Sequence, residues 1–318
     1  MWAPSTTGPT KAPQSKEKIV LDSLTLSYLD KAEWTEQARA HQARADSFTK
    51  AHLARRQAHI KHPVFDFLFE YYPVRAAHLK TWHPGLGVRL EEPAPHTTQR
   101  FYKLVDETPQ HPAGVELDLA AFMERRGSSV RYIHELLSAT ETNHAQFDCF
   151  GLHEWAMAYK SDNLRHDLPL RLGAAETDRV VESHNIKCTH FDAFRFFTEP
   201  AIPLNLTVLT REDQPKNDQC GCLHANMDLY KWAAKLGPLI PGDLFLDAFE
   251  LARDTRILDM EASPYDVRGH GFGAVAIETP EGKAEYVARQ RAISERAKPI
   301  RARLVYLTSQ ALAAKLSD

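Results

Sequence analysis

Residues 222–236 read Cys-Leu-His-Ala-Asn-Met-Asp-Leu-Tyr-Lys-Trp-Ala-Ala-Lys-Leu, and this stretch decides the fold class. Its apolar residues recur at three- and four-residue intervals, the period of an α-helix. Gly237-Pro238 then stops it. The same period runs on both sides. It predicts helices over about 118–147, 151–160, 176–185, 190–198, 223–237, 242–260 and 282–316. Short Pro- or Gly-containing loops such as Glu199-Pro200-Ala201-Ile202-Pro203 separate several of them. Ala274–Glu278 is the one late stretch with strand character. Too few strand-length apolar runs exist for a parallel α/β sheet. The expected fold is mainly α: a multi-helix domain with a minor β element.

The N-terminal third is more varied. Residues 1–17 hold three prolines with Ser, Thr, Lys and Gly, and only Trp2 is bulky. Such a segment cannot offset its ordering entropy and reads as a disordered tail. Asp30 and Glu33 form a D-x-x-E capping pattern that opens a helix running to about His62, with a thin stripe of Trp34, Ala38, Phe48 and Leu53. Pro63 ends that helix. The aromatic run Phe65–Tyr72 follows, then a short helix over about 74–82 and a turn at His83-Pro84-Gly85. Strands are expected around Gly87–Leu90 and Phe101–Val105. No stretch reads as an interdomain linker, so residues 18–318 are expected to form a single domain.

The 318 residues carry 39 Lys and Arg against 42 Asp and Glu, a net charge of -3. A duplex-binding surface would have to be a local patch. Four cysteines do not make a disulfide framework, and a reducing compartment is expected. No apolar run approaches the ~20 residues of a membrane span, and the first residues lack a signal-peptide core. A soluble cytoplasmic protein is expected.

Sixteen histidines are present, and three lie in aromatic-rich helical segments. These are Phe147–Trp155 with His153 and Glu154, Cys188–Phe197 with His190, Asp192 and Arg195, and Cys222–Trp232 with His224 and Asp228. A buried polar group is costly unless it is paired or ligates a metal. The economical expectation is that the three segments meet in one pocket. His153, His190 and His224 are then the candidate metal ligands, and Glu154, Asp192, Asp228 and Arg195 the candidate catalytic groups. His153 and Glu154 leave a helix on different sides, so at most one faces a given pocket. Imidazole and carboxylate suit Fe, Mn or Zn without choosing among them. Structural use of each His as a hydrogen-bonding residue is the alternative. Lesser candidates are Glu141-x-x-His144 at di-iron spacing, a Cys220-Gly-Cys222 clip with His224, Cys188 beside His190, and an anion site at Arg165-His166-Asp167 with Arg171. The Phe65–Tyr72 run could shape a pocket for a flat ring. The long C-terminal helix carries Lys283, Glu285, Arg289 and Arg291, reads as amphipathic and could serve self-association.

The blocks HPVFDFLFEYY, WHPG, FDCFGLHEWAM, CTHFDAFRFFT, CLHANMDLYKWA and ELARDTRILDMEASPYD resemble a group of bacterial proteins labelled 3-methyladenine DNA glycosylase. The resemblance spans residues 27 to about 300. It implies excision of alkylated purines from DNA through a flipped-base pocket, aromatic stacking and a carboxylate, with DNA as partner. It carries no assigned catalytic residues. The sequence lacks a helix-hairpin-helix pattern and the basic stripe that duplex binding uses. Three readings therefore stand. The first is a metal-dependent oxidoreductase or hydrolase for a small polar or ring-containing molecule. The second is the DNA glycosylase, and the third a non-catalytic ligand-binding protein.

Overall fold

The capping signal at Asp30 works as its chemistry dictates. The Asp30 carboxylate accepts from the Glu33 amide at 2.8 Å, and the Glu33 carboxylate accepts from the Asp30 amide at 3.0 Å. They open α1 (Lys31–Gln57). Replacing Asp30 with Ala is expected to cost about 1 kcal/mol of unfolding free energy in a urea titration. The computed structural model describes residues 26–314 except Pro73, so the expected tail at 1–17 lies outside the described residues. α1 stops short of His62 because Ala58 caps it and His59 turns left-handed at φ 55. Its buried line, Trp34, His41, Ala45 and Thr49, faces the rest of the chain.

The aromatic run gives a turn and the four-residue α2 (Phe67–Glu70), and α3 (Ala76–Lys80) follows. The two expected strands are β2 (Val88–Leu90) and β3 (Tyr102–Val105). Two more complete the sheet, β1 (Ser27–Leu29) and β4 (Gly114–Leu117). The order is β1-β2-β4-β3. β1 is parallel to β2, and the other pairs are antiparallel, with Leu90 opposite Val115. Trp34 and Trp82 pack with Leu90, Ala94 and Val115 in a small core between this sheet and α1.

The main core is helical. α4 (Leu119–Thr142) packs along α11 (Pro280–Ala314), and both meet α9 (Leu223–Leu236); α10 (Gly242–Glu261) packs against α9 and α11. α5 (Leu152–Ala158), α6 (Ala174–Glu182), α7 (Phe191–Phe194) and α8 (Gln214–Asn217) are short pieces around this frame. The protein is thus mainly α with a minor sheet. Ala274–Glu278 is irregular rather than a strand. The Val275 amide donates to the Glu261 carbonyl at 2.7 Å, and no strand among the described residues pairs with it. α11 buries Tyr286, Gln290, Ile293, Ala297, Ile300, Leu304, Thr308 and Ala311 at three- and four-residue steps, so the chain itself covers that stripe. No helix among the described residues is long and apolar enough to cross a membrane.

Candidate functional site

α9 is buried nearly all round, as a helix apolar on every side must be. Yet His224, Asp228 and Lys231, at i, i+4 and i+7, lay one polar stripe along it. The loop before α9 is fixed by α11. Gln290 donates to the Gly221 carbonyl at 2.7 Å, Ser294 to the Cys220 carbonyl at 2.8 Å, and Arg301 to the Asn226 side chain. α5 enters through Gly151 at φ 73, where a Cβ would stand 3.3 Å from the Tyr286 ring. Trp155 donates from Nε1 to the Ala262 carbonyl at 2.8 Å, tying α5 to the end of α10. That brings His153 and Glu154 against Arg256 and Asp259 of α10.

Asp259 is the hub of the first cluster. Its Oδ1 lies 2.9 Å from His153 Nε2, and its Oδ2 accepts from Arg256 at 2.6 Å and stands 3.8 Å from His224 Nε2. Arg256 also reaches Glu154 at 3.2 Å. Ligand atoms of His153, Glu154, His224 and Asp259 all lie within 4.8 Å of one another, so this group could hold a metal ion. Burial opposes charge on His153, but the hydrogen bonds to Asp259 and Cys149 outweigh it and raise its pKa. Burial of Asp259 is likewise overcome, by His224, His153 and Arg256, and its carboxyl is held far below the usual range. Burial, with help from Asp259, raises Glu154. His224 differs. Burial drives its pKa to about 3, the Asp259 charge opposing and His153, His190 and Arg256 assisting. Its Nδ1 is buried without a hydrogen-bond partner.

The second cluster centres on Asp228. Tyr72 donates its hydroxyl to Oδ1 at 3.0 Å; Lys231 donates to Oδ2, which also lies 3.5 Å from His190 Nε2. Lys231 bridges to Asp192 Oδ2 at 2.9 Å, and Arg211 donates to Asp192 Oδ1 at 3.0 Å. His190 Nδ1 lies 2.9 Å from Asp218. Burial works against charge on His190, but Asp218 and Asp228 carry its pKa up to about 10. Burial of Asp228 is outweighed by Lys231 and His190, which hold it ionised. His190, Asp192 and Asp228 form the second group able to hold an ion, with the Lys231 ammonium already between its carboxylates.

The two clusters meet at His224. Its ring centroid lies 4.5 Å from that of His153 and 5.8 Å from that of His190. His224 lines two small cavities of about 20 and 10 Å³, each room for about one water. The larger also touches Glu154, Asp192 and Arg256, with Phe67, Tyr71 and Phe196 as its aromatic wall. Arg165 stacks on Phe196 at 3.7 Å and Arg195 at 4.4 Å. Arg195 also pairs with Asp192 at 3.3 Å and reaches the Tyr71 hydroxyl at 3.4 Å.

The three expected histidines are therefore neighbours, but they divide between two carboxylate hubs. Glu154 faces Arg256 in the same group as His153, so both enter one site, contrary to expectation, because Asp259 and Arg256 of α10 reach one each; Asp192 and Asp228 share Lys231. Of the lesser candidates, Glu141 and His144 are exposed and Arg171 is occupied by Glu278 at 2.7 Å. Neither metal-capable group among the described residues includes a cysteine. Asp259, Arg256, Asp218 and Lys231 were missed as site residues. Arg256 and Asp259 did carry a signal, charges three apart beside the apolar pair Ile257-Leu258. Compared with protein-family models, curated proteins and solved structures, the chain matches none of them.

Proposed function

We propose that the chain is an enzyme in which His153, His224 and Asp259, with Glu154 beside them, hold a divalent Fe, Mn or Zn ion and act on a small polar, ring-containing substrate. The observation that carries this reading is His224: a buried, neutral imidazole whose Nε2 stands 3.8 Å from Asp259 Oδ2 without a hydrogen bond, inside a four-residue donor set within 4.8 Å. Two imidazoles with one or two carboxylates suit iron in an oxidoreductase or zinc in a hydrolase, His153 giving up to solvent, as the metal binds, the proton that Asp259 holds on it in the metal-free site. Bound iron would supply redox chemistry, and zinc would polarise a carbonyl or activate water. The chain's own groups have separable tasks. Arg256 balances the carboxylates of Asp259 and Glu154. Phe67, Tyr71 and Phe196 offer faces for a planar ring. Asp192, held by Lys231, Arg211 and Arg195, presents a fixed acceptor at the cavity wall. Asp228 keeps Lys231 charged and in place.

Metal analysis of native protein and of His224→Ala tests it. His224 makes no short hydrogen bond, so the variant is expected to fold. Stoichiometric metal in the native protein and only traces in the variant are the expected result. Metal-free native protein whose melting temperature ignores added Fe, Mn and Zn would overturn the reading, since ligand that binds only the folded state must raise it.

A second reading follows the family resemblance. Arginines stacked on Phe196 beside Asp192 are groups that a base-excision enzyme could use. The present cavity of about 20 Å³ is far too small for a purine, so this reading requires the Arg165–Phe196 wall to open. Release of 3-methyladenine from alkylated DNA by the purified protein would support it, and no release at low salt would remove it.

A further inference from the structure

A cleft of about 570 Å³, separate from both cavities of the cluster, lies beyond Lys231. Its volume is in the range of small-molecule sites, roughly 300–1,000 Å³. Arg126, Lys231 and Lys235 line it together with His78 and His83, and none of its described lining residues is acidic. The apolar part comes from Val74, Ile240 and Phe245.

The charge balance of these cations is uneven. The Lys231 ammonium is satisfied by Asp192 and Asp228, so it brings no unbalanced charge to the cleft. Arg126 and Lys235 have no carboxylate partner among the described residues; Lys235 has only the Trp232 ring, 5.0 Å away. On a surface where most arginines are paired, two unpaired cations lining one cleft, Arg126 from α4 and Lys235 from α9, leave a local positive field that an anion would neutralise. Partial desolvation at the cleft, and then repulsion by Lys231, lower the Lys235 pKa, as expected of a cation lacking its counter-ion.

We propose that this cleft binds a small organic phosphate, with Arg126 and Lys235 holding the phosphate and the Ile240–Phe245 side receiving an apolar body. Arg126 offers a planar donor fork and Lys235 a mobile point charge, a pairing suited to a phosphate's three oxygens. The inference does not depend on metal at the histidine cluster, and neither Arg126 nor Lys235 belongs to that cluster.

The test is calorimetric titration of the full chain with phenyl phosphate, inorganic phosphate and benzyl alcohol. Phenyl phosphate is expected to bind saturably and about tenfold or more tighter than either half-probe, because only it uses both the charged and the apolar walls. Lys235→Ala and Arg126→Ala should each weaken it by about tenfold, with unchanged melting temperature because both side chains are exposed. Raising salt should weaken phenyl phosphate and leave benzyl alcohol unaffected. Equal affinity for all three probes, or unaltered phenyl phosphate binding in the Arg126→Ala/Lys235→Ala double variant, would overturn the proposal.

Discussion

Replacement of Arg256 by Met is expected to lower the unfolding free energy by about 3–5 kcal/mol, the cost typical of breaking one side of a buried ion pair. Arg256 is 1% exposed, and Asp259 is completely buried. The guanidinium donates to Asp259 at 2.6 Å and to Glu154 at 3.2 Å, and lies 4.1 Å over the Phe67 ring. Methionine fills similar space but leaves both carboxylates facing each other with only His153 as counter-charge. Asp259→Asn in the same background should recover part of the loss, since it removes the charge that Arg256 was balancing. A double-mutant cycle in urea should therefore give a coupling of about 1–3 kcal/mol. A cost below about 1 kcal/mol for Arg256→Met, or strict additivity with Asp259→Asn, would show that the network does not carry that stability.

The same pair explains what sequence reading can and cannot reach. The long helices were legible because their signals are local: the Asp30–Glu33 box, the helical period of residues 223–236, and Gly237-Pro238 beyond it. β2 and β3 were legible from their β-branched and aromatic residues. β1 and β4 were not. A three-residue strand such as Ser27–Leu29 has almost no pattern of its own, and it exists because it pairs with Val88–Leu90, some sixty residues away. Ala274–Glu278 shows the converse, strand-like residues without a partner. In the site, His153, His190 and His224 stood out as polar residues in apolar surroundings. Arg256 and Asp259 did not, because α10 also carries Arg253 and Asp254 nearer solvent, and local sequence does not tell a buried charged face from a wetted one. Only the packing of α5 and α9 on α10 makes that distinction.

Acidification is expected to unfasten the small sheet, and His83 is the group that measures it. His83 is mostly buried, with Nδ1 3.0 Å from the Tyr102 hydroxyl. Close by, His96 Nε2 lies 3.1 Å from the Trp82 carbonyl, and His41 Nε2 3.0 Å from the Leu79 carbonyl. Burial, followed by repulsion from His96 and His41, lowers the His83 pKa from 6.5 to about 4. Burial lowers His96 and His41 as well. Above pH 6.5 neither the folded nor the unfolded chain protonates His83, so it adds no pH dependence. Between 6.5 and about 4 the unfolded chain takes up a proton that the folded chain refuses, and stability must fall as the pH falls. At about 1.4 kcal/mol for each pH unit, that interval makes the His83 contribution about 3 kcal/mol at pH 4. His41 and His96 add in the same direction. Carboxylates held low elsewhere also lose stability in acid, so the informative quantity is a difference between proteins. His83→Gln keeps a donor for Tyr102 and cannot titrate. Its unfolding free energy should fall by about 3 kcal/mol less than that of the native protein from pH 7 to pH 4. Parallel stability curves for the two proteins would mean that His83 is not held neutral in the folded chain.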